Sequence, residues 1–212
     1  MDFSCDSLSG TLCVAPAPEA AAERAVGPDT VLKLMFTSGS TRAPKGVITT
    51  HRMVCANQQM IRQCFGFLAE EPPVLVDWLP WNHTFGSNHN FNMVLDNGGS
   101  LYIDEGKPLP GAIAATARNL KEIAPTIYFN VPKGFEALLP FLREDEALRK
   151  NFFSKLKAMF YAGAGLQQYV WDELQQMSVA TTGERIIFLS SIGSTETAPA
   201  ALACTRDFER PG

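Results

Sequence analysis

The chain has 212 residues, and its 18 Lys and Arg against 22 Asp and Glu leave a formal charge of −4, which excludes a broadly basic nucleic-acid binder. With 46% hydrophobic and 19% charged residues it is not a disordered chain and can bury a core. No run approaches the roughly 18 apolar residues of a membrane span. Asp2 and Asp6 stand where a secretory signal would be basic. Five cysteines without a C-x-x-C pair read as free thiols of a cytoplasmic protein, not as a disulfide or zinc framework.

Residues 1–30 contain Pro16, Pro18 and Pro28, an alanine run and no sustained periodicity. They read as a poorly packed arm with a short helix near Ala20–Ala25. From Val31 onward, apolar runs predict strands over Val31–Phe36, Val74–Leu79, Leu101–Ile103, Thr126–Val131, Lys157–Tyr161 and Ile186–Ser190. Helical spacing predicts helices over His51–Leu68, Gly111–Ala124, Pro132–Leu142 and Leu166–Met177; in the first, Val54, Gln58, Ile61 and Phe65 form one stripe. Runs that are apolar throughout suit strands covered on both faces. The alternation predicts an α/β fold with a mainly parallel sheet and flanking helices. Ligands of such sheets sit beyond the carboxyl ends of the strands, which directs attention to the loops after Phe36, Leu79, Tyr161 and Ser190.

The first of these loops, Thr37-Ser38-Gly39-Ser40-Thr41-Arg42-Ala43-Pro44-Lys45-Gly46, gathers four hydroxyls, two glycines and two cations. Hydroxyls and bare amides donate to phosphate oxygens, and a lysine offsets their charge. It is not a P-loop, because its lysine follows proline and an extended run comes next. Taken alone it also reads as a Ser/Thr-rich surface turn. The segment resembles the signature loop of the adenylate-forming superfamily (acyl- and aryl-CoA synthetases, luciferases, peptide-synthetase adenylation domains), T-S-G-S/T-T-G-x-P-K-G. The resemblance implies an acetyl-CoA synthetase-like fold whose loop wraps the β- and γ-phosphates of ATP, with Thr37, Ser38, Gly39, Ser40, Thr41 and Lys45 as contacts. Arg42 departs from the pattern, which has glycine there. Its side chain would strain a left-handed backbone, or its guanidinium would pair with phosphate.

Three further segments extend the resemblance. Leu79-Pro80-Trp81-Asn82-His83-Thr84-Phe85-Gly86 is similar to the family's P-L-x-H-x-x-G, which makes His83 and Phe85 candidates at the acyl and thiol pocket and leaves His89 structural. Tyr161-Ala162-Gly163-Ala164-Gly165 is a tight turn that would admit a flat ring. It is similar to the family's G-A-A/G-P turn, so Gly163, Ala164 and Gly165 would line adenine and acid. Ser191-Ile192-Gly193-Ser194-Thr195-Glu196 alone reads as a helix start; it resembles Y-G-x-T-E. Ile192, Gly193 and Ser194 would then border the nucleotide, Thr195 would bond the α-phosphate and Glu196 would hold Mg²⁺, with Ile192 replacing a stacking tyrosine. Lys45, His83, Thr195 and Glu196 form the implied catalytic set.

The stretches Leu79–Ser100, Leu101–Pro108 and Gly193–Pro199 look most like the bacterial feruloyl-CoA synthetase branch. The implied activity joins a small carboxylic acid, aromatic as ferulate is, to coenzyme A through an acyl-adenylate made from ATP. The family's T-G-D motif and mobile lid domain lie beyond Thr195-Glu196, and no T-G-D precedes Gly212. Residues 31–212 therefore read as part of a larger adenylation domain. A non-catalytic nucleotide- or acyl-binding remnant, self-associating through exposed surfaces, is the other reading. Trp81, Phe129 and Tyr161 either line an aromatic pocket or fill the core.

Overall fold

The computed structural model describes residues 25–37 and 44–204 in full, and residues 3–5 and 12–14 as backbone. The helix expected near Ala20–Ala25 falls almost wholly outside the described residues, as do Ser38, Gly39, Ser40, Thr41 and Arg42. Within the expected arm, β1 (Phe3–Cys5) pairs antiparallel with β2 (Leu12–Val14). The strand that carries the phosphate-loop motif, β3 (Val31–Thr37), pairs antiparallel with β4 (Lys45–Thr50). That corrects the expectation of a parallel strand. The connection 38–44 is too short for the crossover that parallel pairing needs, so the chain folds straight back.

Helix α1 (His51–Cys64) starts where the Thr50 hydroxyl accepts from the Met53 amide, and it buries Val54, Asn57, Gln58 and Ile61. This is the predicted stripe, with Asn57 added. A 3₁₀ turn at Gly66–Ala69 leads to β5 (Val74–Asp77). A wide π-type helix over Phe85–Phe91 then runs into α2 (Asn92–Asp96), followed by β6 (Ser100–Ile103), parallel to β5. Helix α3 (Ile113–Glu122) leads to β7 (Ile127–Asn130), and α4 (Pro132–Glu144) opens with proline at its first turn, where no amide partner is needed. The sequence reading missed α5 (Glu146–Ser154), which the Asp145 carboxylate caps by accepting from Leu148 at 3.0 Å. Strand β8 (Ala158–Tyr161) and α6 (Gln168–Thr182) follow; α6 stops at Gly183 in the left-handed conformation. Last come β9 (Ile187–Gly193) and β10 (Ala200–Ala203).

Strands β7, β8 and β9 are parallel neighbours, and β10 adds antiparallel to β9. Thr126, just before β7, ties this sheet to β5: its amide donates to the Val74 carbonyl (3.0 Å) and its hydroxyl accepts from the Val74 amide (2.9 Å). The period-2 alternation sends successive residues of each strand into different cores. Tyr128, Met159, Tyr161 and Phe188 pack under α3–α6 with Phe135, Leu138, Leu142 and Trp171. Ile127, Phe129, Ala158, Phe160 and Leu189 face the other way, against Ile61 and Phe65 at α1 and Phe85 and Met93 beyond β5. Each buried large apolar side chain contributes roughly 1.5–3 kcal/mol, so this double layer fixes the sheet and with it the strand ends. The α/β architecture expected from the sequence is present, with a mixed sheet in place of a mainly parallel one.

Candidate active site

Thr37 and Lys45 face each other at the base of the β3–β4 hairpin, the Thr37 hydroxyl 3.5 Å from the Lys45 carbonyl. Hairpin pairing thus gathers the two ends of the signature loop. Lys33, also on β3, donates from Nζ to the Ser87 hydroxyl and so fastens the hairpin to the π-type helix. Partial burial holds its ammonium below the usual lysine range.

The second segment hangs from Asp77 at the end of β5. Its carboxylate accepts from the Leu79 amide (3.0 Å) and from Asn90 Nδ2 (2.9 Å). Burial pushes this carboxyl up to about 6; the two hydrogen bonds oppose the rise, and the Asp104 carboxylate adds to it. Gly86 lies so close to this turn that a Cβ there would sit 2.6 Å from the Leu79 carbonyl oxygen and 2.7 Å from that of Pro80. The glycine of the H-T-F-G stretch is therefore needed for close packing. The Phe85 amide donates to His83 Nδ1 (3.2 Å), so the ring's own donor is Nε2. Trp78 Nε1 donates to Asn130 Oδ1 (3.2 Å), which also accepts from the Val131 amide (2.8 Å), while Asn130 Nδ2 donates to the Tyr128 hydroxyl (2.9 Å).

The third segment leaves β8 at Tyr161 and turns through Gly163 at φ +93°, a backbone that a side chain would strain. The fourth is longer as strand than the sequence indicates. Strand β9 continues through Ile192 and Gly193 because β10 folds back onto it. Ser194 caps the 3₁₀ turn Thr195–Thr197, and its amide donates to the Thr197 hydroxyl (2.9 Å). In the amide orientation that satisfies both groups, Asn57 of α1 donates to the Ala198 carbonyl (3.0 Å) and accepts from the Ala200 amide (3.2 Å), anchoring this turn.

These four segments border one cavity of about 1140 Å³. Of the residues predicted from sequence, Thr37, His83, Gly163, Ala164, Gly165, Ile192, Gly193, Ser194, Thr195 and Glu196 line it. Phe85 and Tyr161 do so as well. Lys45 is exposed at the hairpin base and is not part of the lining. Trp81 packs on Phe91 at 4.9 Å outside the cavity, and Phe129 fills the core. The sequence reading missed Trp78, Val131, Ser190 and the β10 residues Leu202 and Ala203. His89 is buried among Phe85, Phe129 and Phe160.

The lining is largely apolar and ends in the hydroxyls of Thr37, Ser194 and Thr195 and the carboxylate of Glu196. Such a site can seat a planar or apolar group and present donors to an anion beside it. No group of three or more His, Cys, Asp or Glu among the described residues could enclose a metal ion. A lone exposed Glu196 at the rim fits Mg²⁺, which takes one or two carboxylates, substrate phosphates and its own waters. No helix among the described residues is long and apolar enough to cross a membrane.

Residues 5–212 match the model of the family described as AMP-binding enzyme. A long-chain-fatty-acid–CoA ligase of Escherichia coli O6:H1 is 28% identical over 174 residues, which are 81% of this chain and 28% of that relative. Two solved structures share the fold. One is a malonyl-CoA ligase ternary product complex with methylmalonyl-CoA and AMP (TM-score 0.67, 24% identity, 89% of this chain and 37% of that one). The other is McyG A-PCP complexed with phenylalanyl-adenylate (TM-score 0.70, 18% identity, 96% and 30%). The chain thus spans well under half the length of each. With nearly every residue inside the family match and the four signature segments meeting at one cavity, the chain belongs to the AMP-binding enzyme family.

Proposed function

We propose that this chain forms the nucleotide- and acid-binding part of an AMP-forming acid–thiol ligase, which activates a small carboxylic acid with ATP and passes the acyl group to coenzyme A. The observation that carries the reading is the meeting of Thr37, His83, the 161–165 turn and the 190–196 strand end around a single cavity. In this reading the 37–45 loop holds the β- and γ-phosphates, with Lys45 offsetting their charge. The Thr195 hydroxyl donates to the α-phosphate, and Glu196 offers its carboxylate to Mg²⁺. When bound, that ion spreads the phosphate charge that repels an incoming carboxylate.

The acid's carboxylate oxygen attacks the α-phosphorus, the bond to pyrophosphate breaks, and an acyl-adenylate results. The thiol of coenzyme A then loses its proton, adds to the acyl carbonyl and displaces AMP. Neither step needs a nucleophilic side chain; the protein positions reactants and stabilises charge. An aromatic acid such as ferulate suits walls that include Trp78, Phe85, Tyr161 and Ile192.

Pyrophosphate release from ATP, Mg²⁺ and ferulate tests the proposal. Release above the acid-free background is expected, falling about tenfold or more in Glu196→Gln. ATP binding without acid-dependent release contradicts activation and leaves a nucleotide-binding role without catalysis.

A further inference from the structure

Asn57 lies on the buried stripe of α1, between Val54 and Ile61, and is 2% exposed. An amide in such a place costs stability unless both of its ends find partners. Its partners come from far along the chain. Nδ2 donates to the Ala198 carbonyl (3.0 Å), and Oδ1 accepts from the Ala200 amide (3.2 Å). A carboxylate has no proton for the first bond, and an aliphatic side chain makes neither.

The backbone groups that Asn57 holds belong to the return of the turn that carries Thr195 and Glu196. Within that turn the Ser194 amide donates to the Thr197 hydroxyl (2.9 Å) and to the Pro199 carbonyl (3.1 Å), and the Ala198 amide donates to the Thr195 carbonyl (3.3 Å). Gly193 closes the base, where a Cβ would collide with the Pro199 carbonyl oxygen. The turn is thus stitched to itself from 193 to 199. Ala198, at φ +61°, stands in the left-handed region, which a side-chain-bearing residue keeps only when its surroundings hold it there. Asn57 supplies that hold from outside the turn. Helix α1 follows directly on β4, whose Thr50 caps it, and β4 itself packs against the same 3₁₀ turn. The helix therefore fixes the Thr195–Glu196 turn relative to the hairpin that gathers the ends of the signature loop.

We propose that Asn57 is a positioning residue: from α1 it sets where the Thr195–Glu196 turn stands against the phosphate loop, so that the Glu196 carboxylate and the loop act on one Mg²⁺-nucleotide. Asn57 is not in the wall of the large cavity and acts through Ala198 and Ala200 alone. The proposal rests on the reading of Glu196 as the Mg²⁺ carboxylate. Groups that orient a metal's ligand are worth about tenfold to a hundredfold in its affinity.

The test is calorimetric ATP binding by the unmodified protein, Asn57→Asp, Glu196→Gln and the double variant, each with Mg²⁺ and with EDTA. In the unmodified protein Mg²⁺ should tighten ATP binding about tenfold or more, and in Glu196→Gln that gain should fall to near one. In Asn57→Asp the gain should fall likewise, and the double variant should lose no more of it than Glu196→Gln alone, because both changes act on one group. An ATP affinity that drops equally with and without Mg²⁺ in Asn57→Asp is a merely structural effect. That result, or an unchanged gain, overturns the role of Asn57 and leaves the reading of Glu196 standing. No gain in the unmodified protein, or a gain that survives Glu196→Gln, overturns both. Side-chain amide spectra of the unmodified protein decide the matter where Asn57→Asp fails to fold: the Asn57 signals should shift when Mg²⁺ is added to the ATP complex, and signals that stay in place overturn the proposal.

Discussion

Asp77 and His89 are two ionisable groups removed from water and joined through Asn90, and burial moves them in opposite directions. The carboxyl of Asp77 rises from 3.8 to about 6 in the folded chain, so folding favours its protonated form. Its contribution to stability is therefore full below about pH 4 and is lost as the pH rises through about 6. His89 falls from 6.5 to about 4, so its contribution is full above about 6.5 and is lost as the pH drops toward 4. Urea unfolding of the protein and of Asp77→Asn across pH 4–8 separates the two. The stability difference between them should shrink as the pH is raised from about 4 to about 6, by on the order of 2–3 kcal/mol, and stay level above 7. A difference that is level throughout contradicts a buried, ionising Asp77. Neither residue stands out in the sequence. Asp77 stands inside an apolar run and His89 reads as a structural histidine, and only the fold shows that Asn90 joins the two.

Among the elements, the π-type helix over Phe85–Phe91 carries the most consequence for the site. Its polar residues Ser87, Asn88, His89 and Asn90 are buried: Lys33 donates to the Ser87 hydroxyl, Asn88 Nδ2 to the Thr84 hydroxyl and Asn90 Nδ2 to Asp77, while Gln58 donates to the Asn88 backbone carbonyl. A reading by hydrophobic period assigns such a run to solvent, which is why its role was hidden. Gly86 allows this helix to close on the Leu79–Pro80 turn. Gly86→Ala should cost about 2 kcal/mol or more in urea unfolding, and the forced movement of the turn should weaken acid binding as well. An unperturbed variant contradicts the packing described. Other elements were plain from the sequence: α1 carries its stripe, and β7 and β8 lie in nearly continuous apolar runs and are buried at every residue, as doubly covered strands are. Two were misjudged. The hairpin fold of β3–β4 follows from a connection length that the motif drew attention away from. The extension of β9 to Gly193 depends on pairing with β10, whose Ala200-Ala201-Leu202-Ala203 run carries no strand period of its own.

Across the whole molecule, the sheet order decides what meets at the site. Parallel β7, β8 and β9, with β5 beside β7, deliver their carboxyl ends to one side, and the hairpin brings Thr37 to the same cavity. The four motif segments were legible because each follows an apolar run. Trp78 and the β10 residues were not, since their membership depends on a neighbour contributed from elsewhere in the chain. The hairpin also presents Leu34, Phe36 and Ile48 exposed on one face. The central claim is that one cavity holds nucleotide and acid side by side. Its most direct test is calorimetric binding of a non-hydrolysable feruloyl-adenylate analogue, with a sulfamoyl group in place of the phosphate, against AMP and ferulate separately. The joined ligand is predicted to bind about a hundredfold or more tightly than AMP, because each half finds its own part of the same cavity without a second loss of freedom. An analogue that binds no more tightly than AMP would contradict the account.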